Sequence, residues 1–216
     1  MDAQPRLLAA GRASEVFDLG DGRVLRRFKG GGHPDREALV MRHARLHGYP
    51  VPEVLDVTPD ALVLEKIDGP TMWEAAVARS STVPAHAAVL AQLHRLLHEI
   101  AAPPVLAAVG EGDRLLHLHL HPANVIVSPG GPVVVDWTNA RSGEPAFDVA
   151  LTWVIGATST GLGRLGRLFL EQFLPHFDRD DLRRELRAAA EYRLADRNVS
   201  GDERRAVREL VAAEGV

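Results

Sequence analysis

The chain lacks several features that would narrow its function. None of its 216 residues is cysteine, which excludes disulfides and thiolate sites and leaves His, Asp, Glu and Asn as the possible metal ligands. The formal net charge of −4 gives no sign of the concentrated basic surface that binds nucleic acid, so we expect no nucleic-acid partner. No charged-then-apolar leader opens the chain, and its apolar runs are shorter than a membrane span. We therefore expect a cytoplasmic protein that does not bind membranes.

The first third of the sequence predicts a small antiparallel sheet that carries one helix. Two runs rich in β-formers flank Gly20-Asp21-Gly22 and predict a hairpin over residues 13–29. A helix is predicted over residues 36–47, and strands over residues 54–57 and 61–67. With 46% hydrophobic and 25% charged residues, the chain is long enough to form a core in one domain or two small lobes.

A break at Asp68-Gly69-Pro70 marks the predicted domain boundary, which divides the chain into residues 1–67 and 68–216. The second part is mainly helical, apart from one predicted short hairpin. Its helices are expected near residues 71–79, 84–101, 146–155, 162–174, 181–195 and 202–213. The last begins with a capping box, because Glu203 follows Ser200 by three positions.

Potential ligands and acid–base groups are concentrated between residues 115 and 137. His117, His119 and His121 alternate, so an extended strand would place all three imidazoles on one side, with Asp136 nearby. Such a cluster could hold Zn²⁺ and activate water, which would make the protein a zinc hydrolase. His-x-His is a short pattern that often arises by chance, and this remains the remote alternative.

The spacing of the same residues indicates a different chemistry. Asn124 follows His119 by five positions, and Asp136 comes after an apolar strand, a turn and a second strand. Kinase catalytic loops have this layout, in which a hairpin delivers a metal-binding Asp after the loop's Asn. Taken singly, Asn124 and Asp136 would be read as turn residues that bond to the backbone nearby. Their joint order and spacing favour the kinase interpretation.

Three segments resemble the aminoglycoside phosphotransferase and choline kinase families. Residues 117–124, His-Leu-His-Leu-His-Pro-Ala-Asn, are similar to the signature His-Gly-Asp-Leu-His-Pro-Gly-Asn of these families. Residues 133–137, Val-Val-Val-Asp-Trp, resemble the strand and Asp-Trp that follow it there. Residues 143–150, Gly-Glu-Pro-Ala-Phe-Asp-Val-Ala, resemble the motif Gly-Asp-Pro-x-x-Asp-Leu-Ala. The resemblance covers most of the chain to about residue 157 and is nonspecific beyond it.

The resemblance implies an α+β, two-lobed protein-kinase-like fold that uses ATP to phosphorylate a hydroxyl of a small molecule. Asn124 and Asp136 would supply the oxygen ligands that Mg²⁺ prefers. Arg26 falls where the family has a Lys or Arg that approaches the phosphates, and a guanidinium can contact two phosphate oxygens at once. Glu37 would hold Arg26 in place.

The remaining nucleotide contacts are predicted at the edges of the first lobe. Ser14 ends a loop with Gly11 whose backbone N–H groups could face a phosphate, although a plain surface turn is the simpler interpretation. Backbone groups of Glu65, Lys66 and Ile67 could hydrogen-bond the adenine edge. The acceptor and the oligomeric state are left open by the sequence.

Position 119 departs from the family signature, because His119 stands where these families have Asp. That Asp accepts or orients the proton of the substrate hydroxyl. Histidine can also act as a base, but it is bulkier and, if protonated, would place a cation beside the phosphates. Three interpretations therefore stay open: a substitute base in a working phosphotransferase, a nucleotide-binding pseudokinase with a regulatory role, or a residue substituted on purpose.

Overall fold

The computed structural model describes residues 5–11, 14–30, 32–159 and 161–216. Arg12 and Ala13, which belong to the predicted phosphate-facing loop and hairpin, lie outside these ranges. The chain forms two compact units. The first comprises Met1–Gly69 and Ile126–Thr138, and the second comprises Pro70–Val125 and Asn139–Val216.

The described residues form both strands and helices, numbered here in chain order. The strands are β1 (Arg6–Ala10), β2 (Ser14–Gly20), β3 (Arg23–Phe28), β4 (Val54–Val57), β5 (Ala61–Glu65), β6 (Ala108–Val109), β7 (Arg114–Leu116), β8 (Val125–Ser128), β9 (Gly131–Val134) and β10 (Arg141–Gly143). The helices are α1 (Pro34–Leu46), α2 (Met72–Ala78), α3 (Val83–His98), α4 (Pro145–Thr158), α5 (Gly163–Phe173), α6 (Arg179–Ala195) and α7 (Gly201–Glu214). None of the described helices combines the length and hydropathy that a bilayer crossing requires.

The first unit is an antiparallel sheet of order β1-β2-β3-β5-β4 that carries helix α1. The predicted β2–β3 hairpin turns at Asp21, whose φ of 52° lies in the left-handed region that such turns require. Strand β1 was not predicted, and all five of its residues are exposed, so it lacks the alternating burial pattern that reveals a strand in sequence. The predicted fold class, a small sheet with one helix followed by a mainly helical part, is confirmed.

The β8–β9 hairpin segment also belongs to the first unit, although the sequence prediction assigned it to the second lobe. Two contacts hold it there. The Val134 N–H donates to the Pro50 carbonyl at 2.8 Å, and Trp137 packs edge-on against Tyr49 with ring centroids 5.6 Å apart. The division at residues 67 and 68 stays a prediction about lobes, while the contacts place a first chain break at Gly69 and return residues 126–138 to the sheet unit.

The second unit is built around α4, ten of whose residues are buried. It packs against α5, α6 and α7, and a small mixed sheet of order β6-β10-β7 lies in the same unit. The predicted capping box of α7 is present, with Ser200 Oγ accepting from the Glu203 N–H at 3.2 Å. The longer predicted helices are all present, and their ends differ from the predicted ones by a few residues.

A buried carboxylate on α4 fixes the loop that follows β7. Asp148 accepts hydrogen bonds from the N–H groups of His117 at 3.1 Å and Leu118 at 2.8 Å, and from His98 Nε2 at 3.0 Å. Leu118 has a φ of 58°, a left-handed conformation that costs energy for a residue with a Cβ. Although burial opposes its charge, the hydrogen bond from His98 and the neighbouring histidines hold the pKa of Asp148 well below its usual range.

A second buried group, His94 on α3, supports the same loop. Its Nε2 lies 3.3 Å from the Leu120 carbonyl, which also accepts from the Thr152 hydroxyl at 2.8 Å. Burial lowers the pKa of His94 to about 3, so the ring is neutral in the folded protein. His94 is therefore a structural residue that holds the backbone ahead of His121.

Burial of His94 makes the free energy of unfolding depend on pH between about 3 and 6.5. An unfolded histidine titrates near pH 6.5, so acid protonates His94 in the unfolded chain before it can do so in the fold. Its contribution to the free energy of unfolding is complete above about pH 6.5 and is lost as the pH falls toward 3. Between about pH 7 and pH 5 we expect a loss of roughly 2 kcal/mol from this group, measured by urea unfolding.

The matched variants are His94→Gln and His47→Gln. His47 is exposed directly after α1, and its replacement is the control for the loss of a histidine as such. His94→Gln should flatten the curve between pH 5 and 7, whatever its effect on absolute stability. An unchanged slope in His94→Gln would contradict the assignment.

Candidate functional site

Arg26 is the centre of a buried ionic network in the first unit. Its Nη1 donates to Glu37 Oε1 on α1, and its Nη2 donates to Asp136 Oδ1 and, at 3.0 Å, to Thr138 Oγ1. The Thr138 hydroxyl donates to Glu37 Oε2 at 2.9 Å, which closes the ring of contacts. Arg26 is 7% exposed and Glu37 3% exposed, so the network is shielded from water on most sides.

Local structure explains why these four residues meet. Arg26 lies opposite Val16 and Leu62 in the middle of the sheet, and Glu37 lies in the first turn of α1. Asp136 follows β9 with a φ of 68°, a left-handed conformation that only Gly, Asn and Asp adopt readily. This turn directs the chain back so that Thr138 also reaches Arg26. Thr138 was missed by sequence reasoning, and its position two residues after Asp136 was the one available signal.

The charged groups of the network shift one another's pKa values. Burial opposes the charge on Arg26, but the carboxylates of Glu37 and Asp136 outweigh it and hold the pKa of Arg26 above its ordinary value. Burial raises the pKa of Glu37, and Arg26 opposes that shift. Asp136, whose side chain is 34% exposed, is the accessible end of the network.

Ser14 lies beside this network, and its predicted phosphate contact stays a prediction. Its hydroxyl accepts from Arg26 Nε at 3.1 Å. The predicted adenine-edge segment is only partly available, because the N–H groups of Glu65 and Lys66 donate to the carbonyls of Glu53 and Gly22 at 2.9 and 2.8 Å. Adenine contacts from the other backbone groups of residues 65–67 stay a prediction.

The predicted catalytic loop lies in the second unit and is organised by Asn124. The Asn124 amide nitrogen donates to the His119 carbonyl at 2.9 Å and lies 3.1 Å from His119 Nδ1. The rings of His119 and His121 meet edge to face, with centroids 4.5 Å apart. Because the carbonyl contact requires the NH₂ group, the amide orientation is fixed, and Oδ1 is the atom that Asn124 can offer to a metal.

The contact of Asn124 with His119 Nδ1 is a hydrogen bond in one tautomer of the ring. The amide NH₂ can only donate, so this hydrogen bond requires an unprotonated Nδ1, and a neutral imidazole then carries its proton on Nε2.

The zinc interpretation is not supported by this geometry. Strand β7 ends at Leu116, and the left-handed turn at Leu118 prevents an extended run that would align the three histidines. Within the part of the chain that the structure describes, the one group of three potential ligands close enough for a metal is His94, His98 and Asp148. Asp148 and His94 Nε2 contact the loop backbone, and His98 Nε2 is hydrogen-bonded to Asp148.

A family model and several solved structures are similar to this chain. Residues 104–192 match the model of the phosphotransferase enzyme family. The crystal structure of aminoglycoside phosphotransferase APH(4)-Ia superposes with a TM-score of 0.73 at 16% identity, covering 99% of this chain and 94% of that one. A thermostable mutant of that enzyme, in a ternary complex with AMP-PNP and hygromycin B, gives 0.72 at 16% identity over 98% and 93%. Sequence comparison with curated proteins gives no match.

A second type of small-molecule kinase is also similar. A choline/ethanolamine kinase family protein from Mesorhizobium loti superposes with a TM-score of 0.64 at 17% identity, covering 98% of this chain and 87% of that one. The chain thus has the protein-kinase-like fold that these two kinds of enzyme share. The resemblance to aminoglycoside phosphotransferases and choline kinases is confirmed, and the family match spans residues 104–192.

The buried network predicts a large difference between two glutamates. Glu37→Gln removes one of the two carboxylates that balance a buried guanidinium, and we expect it to lower the free energy of unfolding by about 3 kcal/mol. The control is Glu53→Gln, because Glu53 is 55% exposed and lies 3.6 Å from Arg45 on the surface. Surface pairs contribute about 0–1 kcal/mol. Urea unfolding at neutral pH measures both, and equal effects would contradict the role given to Glu37.

Proposed function

We propose that the protein is an ATP-dependent phosphotransferase that moves the γ-phosphoryl group to a hydroxyl of a small molecule in the cytoplasm. The observation that carries this proposal is the buried Arg26–Glu37–Asp136 network. It joins a permanently charged guanidinium to a partly exposed carboxylate at a strained turn, and the Asn124 loop follows the same family signature. The complex of the similar APH(4)-Ia mutant with AMP-PNP supports the choice of nucleotide.

Each residue has a role that its chemistry allows. Asp136 and the Oδ1 atom of Asn124 would each supply a hard oxygen ligand to Mg²⁺, which would neutralise charge on the transferring phosphoryl group. Arg26 would leave Asp136 and contact phosphate oxygens, while Glu37 and Thr138 keep its side chain in position. Ser14 would fix the other edge of the guanidinium.

His119 is assigned a positioning role in this reaction. With its proton on Nε2, it can donate a hydrogen bond to the acceptor oxygen or to a phosphate oxygen. Phosphoryl transfer depends mostly on positioning and on charge stabilisation, so turnover does not require a strong base. Removal of a general base commonly costs about 10²–10⁴ in rate, and we therefore expect slow turnover from this chain.

A pseudokinase is the second candidate, and the contact between Asn124 and His119 favours it. If that contact persists when nucleotide binds, His119 offers no lone pair to the acceptor. The protein would then bind ATP and Mg²⁺ in a regulatory role without efficient transfer.

The test compares four proteins: the unmodified chain, His119→Asp, Asp136→Asn and the control Asp113→Asn. Asp113 has a side chain that is 82% exposed and lies outside the site. MgATP binding is measured by calorimetry, and phosphorylated product is detected by mass spectrometry with a panel of hydroxyl compounds. We expect MgATP to bind all except Asp136→Asn, which should lose at least about tenfold in affinity because a metal ligand is removed.

Turnover separates the two candidates. Product from the unmodified chain, with turnover about 10²-fold or more faster in His119→Asp, supports the phosphotransferase. MgATP binding without product from either protein supports the pseudokinase. Absence of MgATP binding in the unmodified chain would refute both.

A further inference from the structure

A small apolar cavity in the second unit begins at the catalytic loop. Its volume is about 150 Å³, and its walls come from α2, α4, α5 and α6. His119 and His121 lie at one side, and Ile155, Phe169 and Phe173 are among the apolar residues that line the rest. All three of these apolar residues are buried, so the walls are part of the packed core of the unit.

The charge of the walls restricts what can enter. Among the described residues that line the cavity there is no carboxylate, and Arg193 is the one lining residue with a permanent charge. Arg193 lies 3.4 Å from Asp196 and 3.9 Å from Glu203, which balance it. A polycation needs carboxylates to replace its lost hydration, and here it would instead meet a guanidinium.

The size of the cavity sets a second limit. An apolar protein cavity of roughly 150 Å³ lined by Leu, Ile and Phe accepts a molecule the size of benzene. A single ring or a short branched chain therefore fits, whereas a molecule of several sugar rings does not. Trp73 adds an aromatic wall at the α2 side.

We propose that this cavity receives the apolar body of the acceptor, and that the acceptor is a small neutral alcohol whose hydroxyl meets His119. This rests on the proposed function, because it identifies the acceptor of that reaction. The alcohol oxygen forms a bond to the γ-phosphorus, and the bond from that phosphorus to the β,γ-bridging oxygen breaks. ADP leaves, and the hydroxyl proton passes to a phosphate oxygen and then to solvent.

The test uses benzyl alcohol as the neutral probe, with choline and hygromycin B as cationic probes of two sizes. Binding is measured without nucleotide by ligand-observed NMR, so that it does not depend on phosphoryl transfer. Ser159→Leu places a larger apolar side chain at the cavity wall. Its control is Ala157→Leu, an exposed position on α4 two residues earlier that does not line the cavity.

We expect benzyl alcohol to bind the unmodified chain and Ala157→Leu with equal affinity, and to bind Ser159→Leu at least about tenfold more weakly. Thermal unfolding and circular dichroism establish that both variants are folded. If Ser159→Leu does not fold, Phe169→Leu replaces it, and this wider cavity should bind 2-naphthylmethanol better than the unmodified chain does.

Several outcomes would overturn the inference. These are no binding of benzyl alcohol, equal binding in Ser159→Leu and Ala157→Leu, and displacement of benzyl alcohol by choline or hygromycin B at lower concentration. Addition of MgATP then separates this inference from the proposed function. Binding of benzyl alcohol without product from any probe leaves the cavity assignment standing and counts against transfer, whereas product from a cationic probe alone supports transfer and refutes the neutral acceptor.

Discussion

The ionic contact between Arg26 and its two carboxylates is the constraint on which the first unit depends. A guanidinium this deeply buried is tolerated only when its charge and its donors are matched, and Glu37, Asp136, Thr138 and Ser14 together match them. The contact joins the sheet, α1 and the turn after β9. It therefore makes residues that are far apart in sequence into one structural element, and it holds a prospective phosphate anchor next to a prospective metal ligand.

Asp148 has the corresponding task in the second unit. It binds the backbone at His117 and Leu118, where the chain turns through a left-handed conformation, and His98 shares the same carboxylate. Here the buried carboxylate fixes backbone geometry through these hydrogen bonds. In both units a buried acid lies beside a turn with a left-handed residue, a conformation that persists only when the surrounding structure holds it.

The hydrogen-bonding properties of the side chain at position 119 bear directly on catalysis. A carboxylate at this position would be an acceptor in every orientation, whereas an imidazole is a donor or an acceptor according to its tautomer, and the contact of Nδ1 with Asn124 is a hydrogen bond in the tautomer that carries its proton on Nε2. The apolar cavity beside it has no carboxylate among the described residues that line it, unlike the walls expected for a polycationic substrate.

The sequence by itself determined the longer helices, the hairpin at Asp21, the capping box of α7 and the spacing of His119, Asn124 and Asp136. These follow from local turn chemistry, periodicity and motif spacing, which act over a few residues. Only the tertiary structure decided that Thr138 completes the Arg26 network, that exposed β1 extends the sheet and that the Asn124 amide contacts His119. Each of these depends on groups brought together by packing or on strand pairing, and no local sequence pattern encodes such contacts.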